Sequence, residues 1–121
     1  MDHSPGFLAL VSAAKAKVVE LTVDEWVAAQ GRGEAMVLID VREDDEWRAG
    51  HARGAVHLGR GILERDVEKQ YPDKNTPLVL YCGGGFRSAL AAESLQKMGY
   101  ANVRSLAGGW RAWNEHKLPT E

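Results

Sequence analysis

The sequence predicts an α/β protein: a parallel sheet with helices on both faces. Three observations predict it. Ala35-Met-Val-Leu-Ile39 and Leu78-Val-Leu-Tyr81 are unbroken apolar runs, as strands buried on both faces should be. Stretches with capping signals or helical spacing of apolar residues separate such runs. Strands that alternate with helices imply crossover connections, and crossovers imply parallel pairing.

Taken in order, Phe7-Leu-Ala-Leu-Val-Ser-Ala-Ala14 reads as an amphipathic helix covering an edge of the core. It lacks a basic leader and is followed by Lys15 and Lys17, so a signal peptide is the weaker interpretation. Val18 to Leu21 is a short first strand. Thr22-Val-Asp-Glu25 is a capping box, with Leu21 and Trp26 placed as a hydrophobic staple. The helix it opens runs to Gln30 and stops at Gly31. The second strand, Ala35 to Ile39, ends at Asp40-Val-Arg42. Glu43 to Trp47 then starts a short helix with acids in its first turn, where the helix dipole favours them. Gly54 to Leu58 is a third strand, and Gly59-Arg-Gly61 turns the chain into a polar helix from Ile62 to Lys69. Tyr71 to Pro77 is a loop by composition. After the Leu78 strand, Phe86, Leu90, Leu95 and Met98 mark a helix stopped by Gly99. Val103 to Leu106 is a fifth strand. Gly108-Gly109 breaks the chain before a last helix, Trp110 to Glu115.

The 121 residues suffice for one domain and one core. Residues 1–17 read as a helical extension and 18–121 as the domain proper. A net charge of −2 argues against a broad nucleic-acid or membrane footprint. No apolar run approaches the length of a spanning helix. A single cysteine, Cys82, excludes an internal disulfide and any cysteine-based zinc cluster. His3, His51, His57 and His116 show no ligand spacing, so no metal is expected. These features make the cytoplasm the default compartment.

The chemistry concentrates in Cys82-Gly-Gly-Gly-Phe-Arg87-Ser88, between a buried strand and a helix start. The glycines let the backbone turn and aim successive N–H groups inward. The following helix adds the positive end of its dipole. A thiolate at the mouth of this cradle is favoured by the N–H groups and by Arg87. Ligands of parallel sheets bind outside the strands' carboxyl ends. Asp40 and Arg42 follow strand two and Cys82 follows strand four, so a site shared by those ends is expected.

Each of these residues has a plainer interpretation. A lone cysteine is most often a small buried hydrophobe, but the glycine loop, Arg87 and the helix start reverse that expectation. The glycines could cradle a nucleotide phosphate, yet no lysine follows them. A cation in a helix's first turn opposes the dipole, so Arg87 is expected to face an anion. Asp40, Arg42 and Glu46 are assigned a bracing role through ion pairs and hydrogen bonds. His51 is read as a hydrogen-bonded structural histidine, and the four tryptophans as packing residues. Arg60 lies either at a pocket rim or on an exposed turn.

Leu38-Ile-Asp-Val-Arg42, Glu46-Trp47, Gly50-His51, Gly54-Ala55, the Cys82 loop, and Gly108-Gly109 with Trp113 occur here in one order. In this set the chain resembles a single-domain rhodanese, a sulfurtransferase, over roughly Leu21 to Pro119. Two departures stand out. Ala52-Arg53 occupies the place where isoleucine and proline are more usual, and Glu46 falls near where some thiosulfate-using relatives carry a base.

The resemblance implies a five-stranded parallel sheet and a cysteine that carries a persulfide between half-reactions. It implies Cys82 as catalytic residue and Gly83, Gly84, Gly85, Phe86, Arg87 and Ser88 as the anion cradle, with no cofactor. The expected partners are a small sulfane-sulfur donor such as thiosulfate and a cyanide or thiol acceptor, with a sulfur-accepting protein as a further candidate. No nucleic acid or membrane partner is expected.

Two other classes stay open: a cysteine-based phosphatase or arsenate reductase, and a non-catalytic binding module of the same fold. A module should have lost the cysteine. Cysteine phosphatases use C-x₅-R, often with a histidine before the cysteine. Here the spacing is C-x₄-R and that place holds Tyr81.

Overall fold

The computed structural model describes residues 3–121. Its strands are β1 (Val19–Leu21), β2 (Val37–Asp40), β3 (Val56–His57), β4 (Leu78–Tyr81) and β5 (Val103–Leu106). Its helices are α1 (Pro5–Lys15), α2 (Val23–Gly31), α3 (Asp44–Ala49), α4 (Leu63–Gln70), α5 (Phe86–Lys97) and α6 (Gly109–Glu115). The five strands form one sheet in the order β1-β5-β4-β2-β3, and every pair is parallel. This is the architecture expected from the alternation of strands and helices.

Period-two alternation along the central strands divides the core into two layers. Leu78, Leu80 and Cys82 face one side with Ile39 and Val41, under Leu63, Val67, Ala89, Ala92 and Leu95 of α4 and α5. Val79 and Tyr81 face the other side with Leu38, under Trp26 of α2 and Trp113 of α6. All four residues of β4 are buried, which explains its unbroken apolar run. Helix α1 packs against α5 and buries Val11 and Ala14. Ala14 belongs to the same apolar cluster as Ile39 and Leu80.

Local signals placed the elements well. Thr22 accepts from the Glu25 N–H, and the Glu25 carboxylate accepts from the Thr22 N–H, closing the capping box. Element ends moved by a residue or two. Ala35 and Met36 lie before β2, and Asp40 lies inside it, paired with Tyr81 in register. The third strand shrinks to Val56–His57 because it is an edge strand paired only to β2. The helices α4 and α6 start at Leu63 and Gly109. Trp26 and Trp113 pack together in the core, while Trp47 and Trp110 are only partly buried.

Adjacent β2 and β4 bring two carboxyl ends side by side. The Val41 N–H donates to the Tyr81 carbonyl, 3.0 Å. Chain running off β2 into α3 and chain running off β4 into α5 therefore flank one crevice.

Candidate active site

Cys82 is the first residue beyond β4, and α5 begins four residues later. Gly85 is the helix N-cap, with φ +97. A side chain there would be strained, and its Cβ would sit 3.1 Å from the Gly108 nitrogen. The glycine N-cap has no side chain to accept from the first turn. The sulfur does so instead: Sγ of Cys82 accepts from the N–H groups of Gly85 (3.1 Å) and Ser88 (3.4 Å). Ser88 is the third helical residue, whose N–H a side-chain cap ordinarily satisfies. The thiol is thus held against the positive end of the α5 dipole.

Cys82 is only 1% exposed. The expectation of a thiol at the mouth of the cradle is corrected: Cys82 is part of the floor. The reason is that Cys82 continues the alternation of β4 and so faces the α5 side of the sheet. The buried hydroxyls of Ser88 and Ser105 lie 2.8 Å apart, and Ser88 Oγ lies 3.5 Å from Sγ. Ser105, on β5, carried no signal in the sequence, because a serine inside a strand looks like any other.

Above the sulfur opens a pocket of about 640 Å³. Cys82, Gly83 and Gly84 form its floor, and Arg87, Glu46 and Arg111 line it with charge. His3, Phe7 and Phe86 form an aromatic wall. His3, Phe7 and Arg111 were not anticipated as pocket residues. Their positions follow from α1 packing on α5 and from the Arg111 N–H donating to the Gly83 carbonyl, 3.1 Å.

The anion facing Arg87 is Glu46, with guanidinium–carboxylate distances of 2.8 and 3.2 Å. Glu46 was expected to brace the loop alongside Asp40 and Arg42. It does so through this ion pair with Arg87 of the loop, and it also lines the pocket. Its carboxylate also accepts from the Glu43 N–H, so the first turn of α3 fixes its direction. The bond to Arg87, chiefly, holds the Glu46 carboxyl below its ordinary pKa of 4.5. The same bond raises the Arg87 pKa, with a further contribution from the neighbouring Cys82.

Asp40 and Arg42 form a separate buried pair. Both Arg42 Nε and Nη2 donate to the carboxylate, at 2.8 to 3.1 Å, and the Arg42 N–H donates as well. Nη2 also donates to the Gly50 carbonyl, 2.7 Å. Burial works against the Arg42 charge, yet the bonds and charge of Asp40 keep its pKa above the ordinary value. The guanidinium lies 4.7 Å from the Trp110 ring centre, and the Trp110 backbone N–H donates to the Cys82 carbonyl, 2.7 Å. The pair therefore sits beneath the loop and touches it through Trp110. Gly109 lets that segment approach: a Cβ there would overlap the Cys82 carbonyl oxygen.

His51 stacks on Trp47 at 3.4 Å and donates to the Trp47 carbonyl. Arg60 is neither at the pocket nor a free turn charge; it pairs with Glu64 and Ser94. No group of three or more His, Cys, Asp or Glu side chains among the described residues could hold a metal ion. No helix among them is long and apolar enough to cross a membrane.

The fold and loop define a parallel α/β protein with one thiol set as the cap of a helix. The chain belongs to the rhodanese-like family: a model of the rhodanese-like domain matches residues 22–116. Thiosulfate sulfurtransferase GlpE of Coxiella burnetii is 36% identical over 81 residues, covering 67% of this chain and 74% of that protein. Among solved structures, the polysulfide-sulfur transferase homodimer of Wolinella succinogenes superposes with a TM-score of 0.79 at 33% identity, covering 96% of this chain and 87% of that one. A Rhodopseudomonas palustris protein described as a possible tyrosine phosphatase superposes with a TM-score of 0.86 at 31% identity, covering 100% and 98%.

Proposed function

We propose that the protein is a sulfurtransferase that carries a sulfane sulfur on Cys82. One observation carries this most: the only thiol lies at the floor of a pocket, fixed by two N–H groups at a helix start. In the first half-reaction the Cys82 thiolate attacks the outer sulfur of a donor such as thiosulfate. The donor's S–S bond breaks, its electron pair leaves on sulfite, and a Cys82 persulfide remains. The terminal sulfur carries the negative charge and extends toward the pocket and Arg87. Loop N–H groups of Gly83 to Ser88 and the α5 dipole are suited to stabilise that anion.

In the second half-reaction cyanide or a thiol attacks the terminal sulfur, and the electron pair returns to Cys82. With no second cysteine in the sequence, release requires an external acceptor. A sulfur-accepting protein is a further acceptor compatible with this step. No cofactor enters either half. Asp40 and Arg42 act as a brace, and Glu46 sets the charge opposite Arg87. A lone reduced thiol suits a reducing cytoplasmic setting.

Weighing the intact protein after incubation with thiosulfate tests the proposal. A gain of one sulfur atom is expected, and none in Cys82→Ser. Failure of the parent to gain sulfur from any sulfane donor would sink it.

The Rhodopseudomonas palustris neighbour favours keeping a phosphatase as the second reading. Loop size argues against it. A persulfide adds one atom beyond Sγ, whereas a phosphoryl group adds a tetrahedral cluster whose oxygens each need donors. The C-x₄-R ring is one residue shorter than the phosphatase loop. Hydrolysis of an aryl phosphate should therefore be negligible beside thiosulfate:cyanide sulfur transfer, and the reverse ranking would make the phosphatase reading the better one.

A further inference from the structure

Two of the three residues of the aromatic wall come from a part of the chain outside the matched family range. That range begins at residue 22, whereas Phe7 lies in the N-terminal helix α1 and His3 just before its N-cap. His3 is 4.8 Å from Phe86 and 5.2 Å from Phe7 between ring centres, and Phe7 is 6.2 Å from Phe86. The interplanar angles of 50° to 57° are tilted arrangements, favourable for aromatic rings at such separations. The three rings line one side of the pocket whose floor holds Cys82.

Size and charge point to the ligand. A volume of about 640 Å³ lies in the range of about 300–1,000 Å³ that encloses an organic molecule. An inorganic donor or cyanide would leave most of it to water. The lining charges are two arginines and one carboxylate, and Arg87 is already bonded to Glu46. A second negative charge on a ligand would meet the Glu46 carboxylate as well as Arg87.

We propose that His3, Phe7 and Phe86 form an aromatic subsite that selects sulfane-sulfur donors with one negative charge and an aromatic or apolar body. The proposal rests on Cys82 being the sulfur carrier. An arenethiosulfonate shows the step in balanced form. The Cys82 thiolate bonds to the outer sulfur, and the donor's S–S bond breaks. The electron pair leaves on the arenesulfinate, so one anion enters and one leaves. The arene then lies against Phe7 and Phe86 while its sulfur reaches the floor.

Three donors separate the contributions, with cyanide as acceptor. Thiosulfate is a small dianion. Methanethiosulfonate is a small monoanion with a sulfinate leaving group. Benzenethiosulfonate adds the ring. The expected result is a KM for benzenethiosulfonate about tenfold below that for methanethiosulfonate, the size of one good aromatic contact. Phe7→Ala should remove most of that difference, and Phe7→Tyr, which keeps the ring, should retain it. Equal KM values for the two thiosulfonates in the parent would overturn the subsite, whether or not the variants fold. So would a Phe7→Ala change that raises both KM values alike. Sulfur loading from thiosulfate without any preference among donors would remove the subsite and leave the sulfurtransferase. Loading from none of the three would remove both.

Discussion

Glu46 and Arg87 illustrate how one pair can set both charge and stability. Each side chain is about one-third exposed, at 35% and 34%, so solvent screens the pair and its net worth is about 0–1 kcal/mol. The Glu46 pKa is depressed by its bond to Arg87. Stability from a depressed carboxyl is fully present above the ordinary value of 4.5 and is lost as pH falls through the lower folded value. Thermal melts across pH should show Glu46→Gln slightly less stable than the parent at neutral pH. The difference should vanish well below pH 4.5. A difference that grows on acidification would contradict the pairing. The same substitution removes a negative charge from the pocket, so KM for thiosulfate should fall several-fold.

Among the elements, the β2 end and the β4–α5 junction divide the work. Asp40 is fully buried and Arg42 is 3% exposed. Removing either leaves a buried charge without its partner, at about 3–5 kcal/mol. Asp40→Ala should lose that much in denaturant unfolding and lose sulfur transfer with it, because Arg42 supports Trp110 and Trp110 holds the Cys82 carbonyl. A variant that unfolds like the parent yet loses turnover would make Asp40 part of the chemistry rather than a brace. At the junction itself, Ser88 and Ser105 tie the loop to β5 through a 2.8 Å hydroxyl contact. Ser105→Ala leaves the Ser88 hydroxyl short of a buried partner, a loss of about 1–3 kcal/mol measurable by chemical denaturation. An unchanged midpoint would show that the contact contributes nothing.

Across the molecule, one sheet covered on both faces makes the two ends of the sequence interdependent. Ala14 of α1 is fully buried in the cluster that holds Leu80 and Cys82. A domain of this size has a total stability of about 5–15 kcal/mol. Ala14→Asp places an unpaired carboxyl in that cluster and should lower the unfolding midpoint strongly, with a single transition for helix and sheet. Separate transitions for α1 and the remainder would mean that the helix is an independent appendage. At the other end, Glu121 and His51 exchange backbone hydrogen bonds, and Ala52 bridges to Thr120. Helix α1 and residues 120–121 are therefore tied to the segments that carry the crevice.

The parallel α/β architecture, the Thr22 capping box and the cysteine loop were legible in residue order. Period-two burial, capping and glycine turns act between neighbours, and neighbours are what a sequence displays. The pairing of Glu46 with Arg87 joins residues 41 positions apart, and Ser88 meets Ser105 across 17. Glu46 alone fits a first-turn acid on α3, and Ser105 alone fits any strand; neither shows its partner. The burial of Cys82 depends on which face of β4 it continues, and that face is set by α5 packing over it. The aromatic wall needed α1 to fold back onto α5, bringing His3 and Phe7 to Phe86. The strand order β1-β5-β4-β2-β3 sets these meetings, because it brings the carboxyl ends of strands distant in sequence together at one end of one sheet. Local preference predicts the elements, and long-range packing chooses what faces the sulfur.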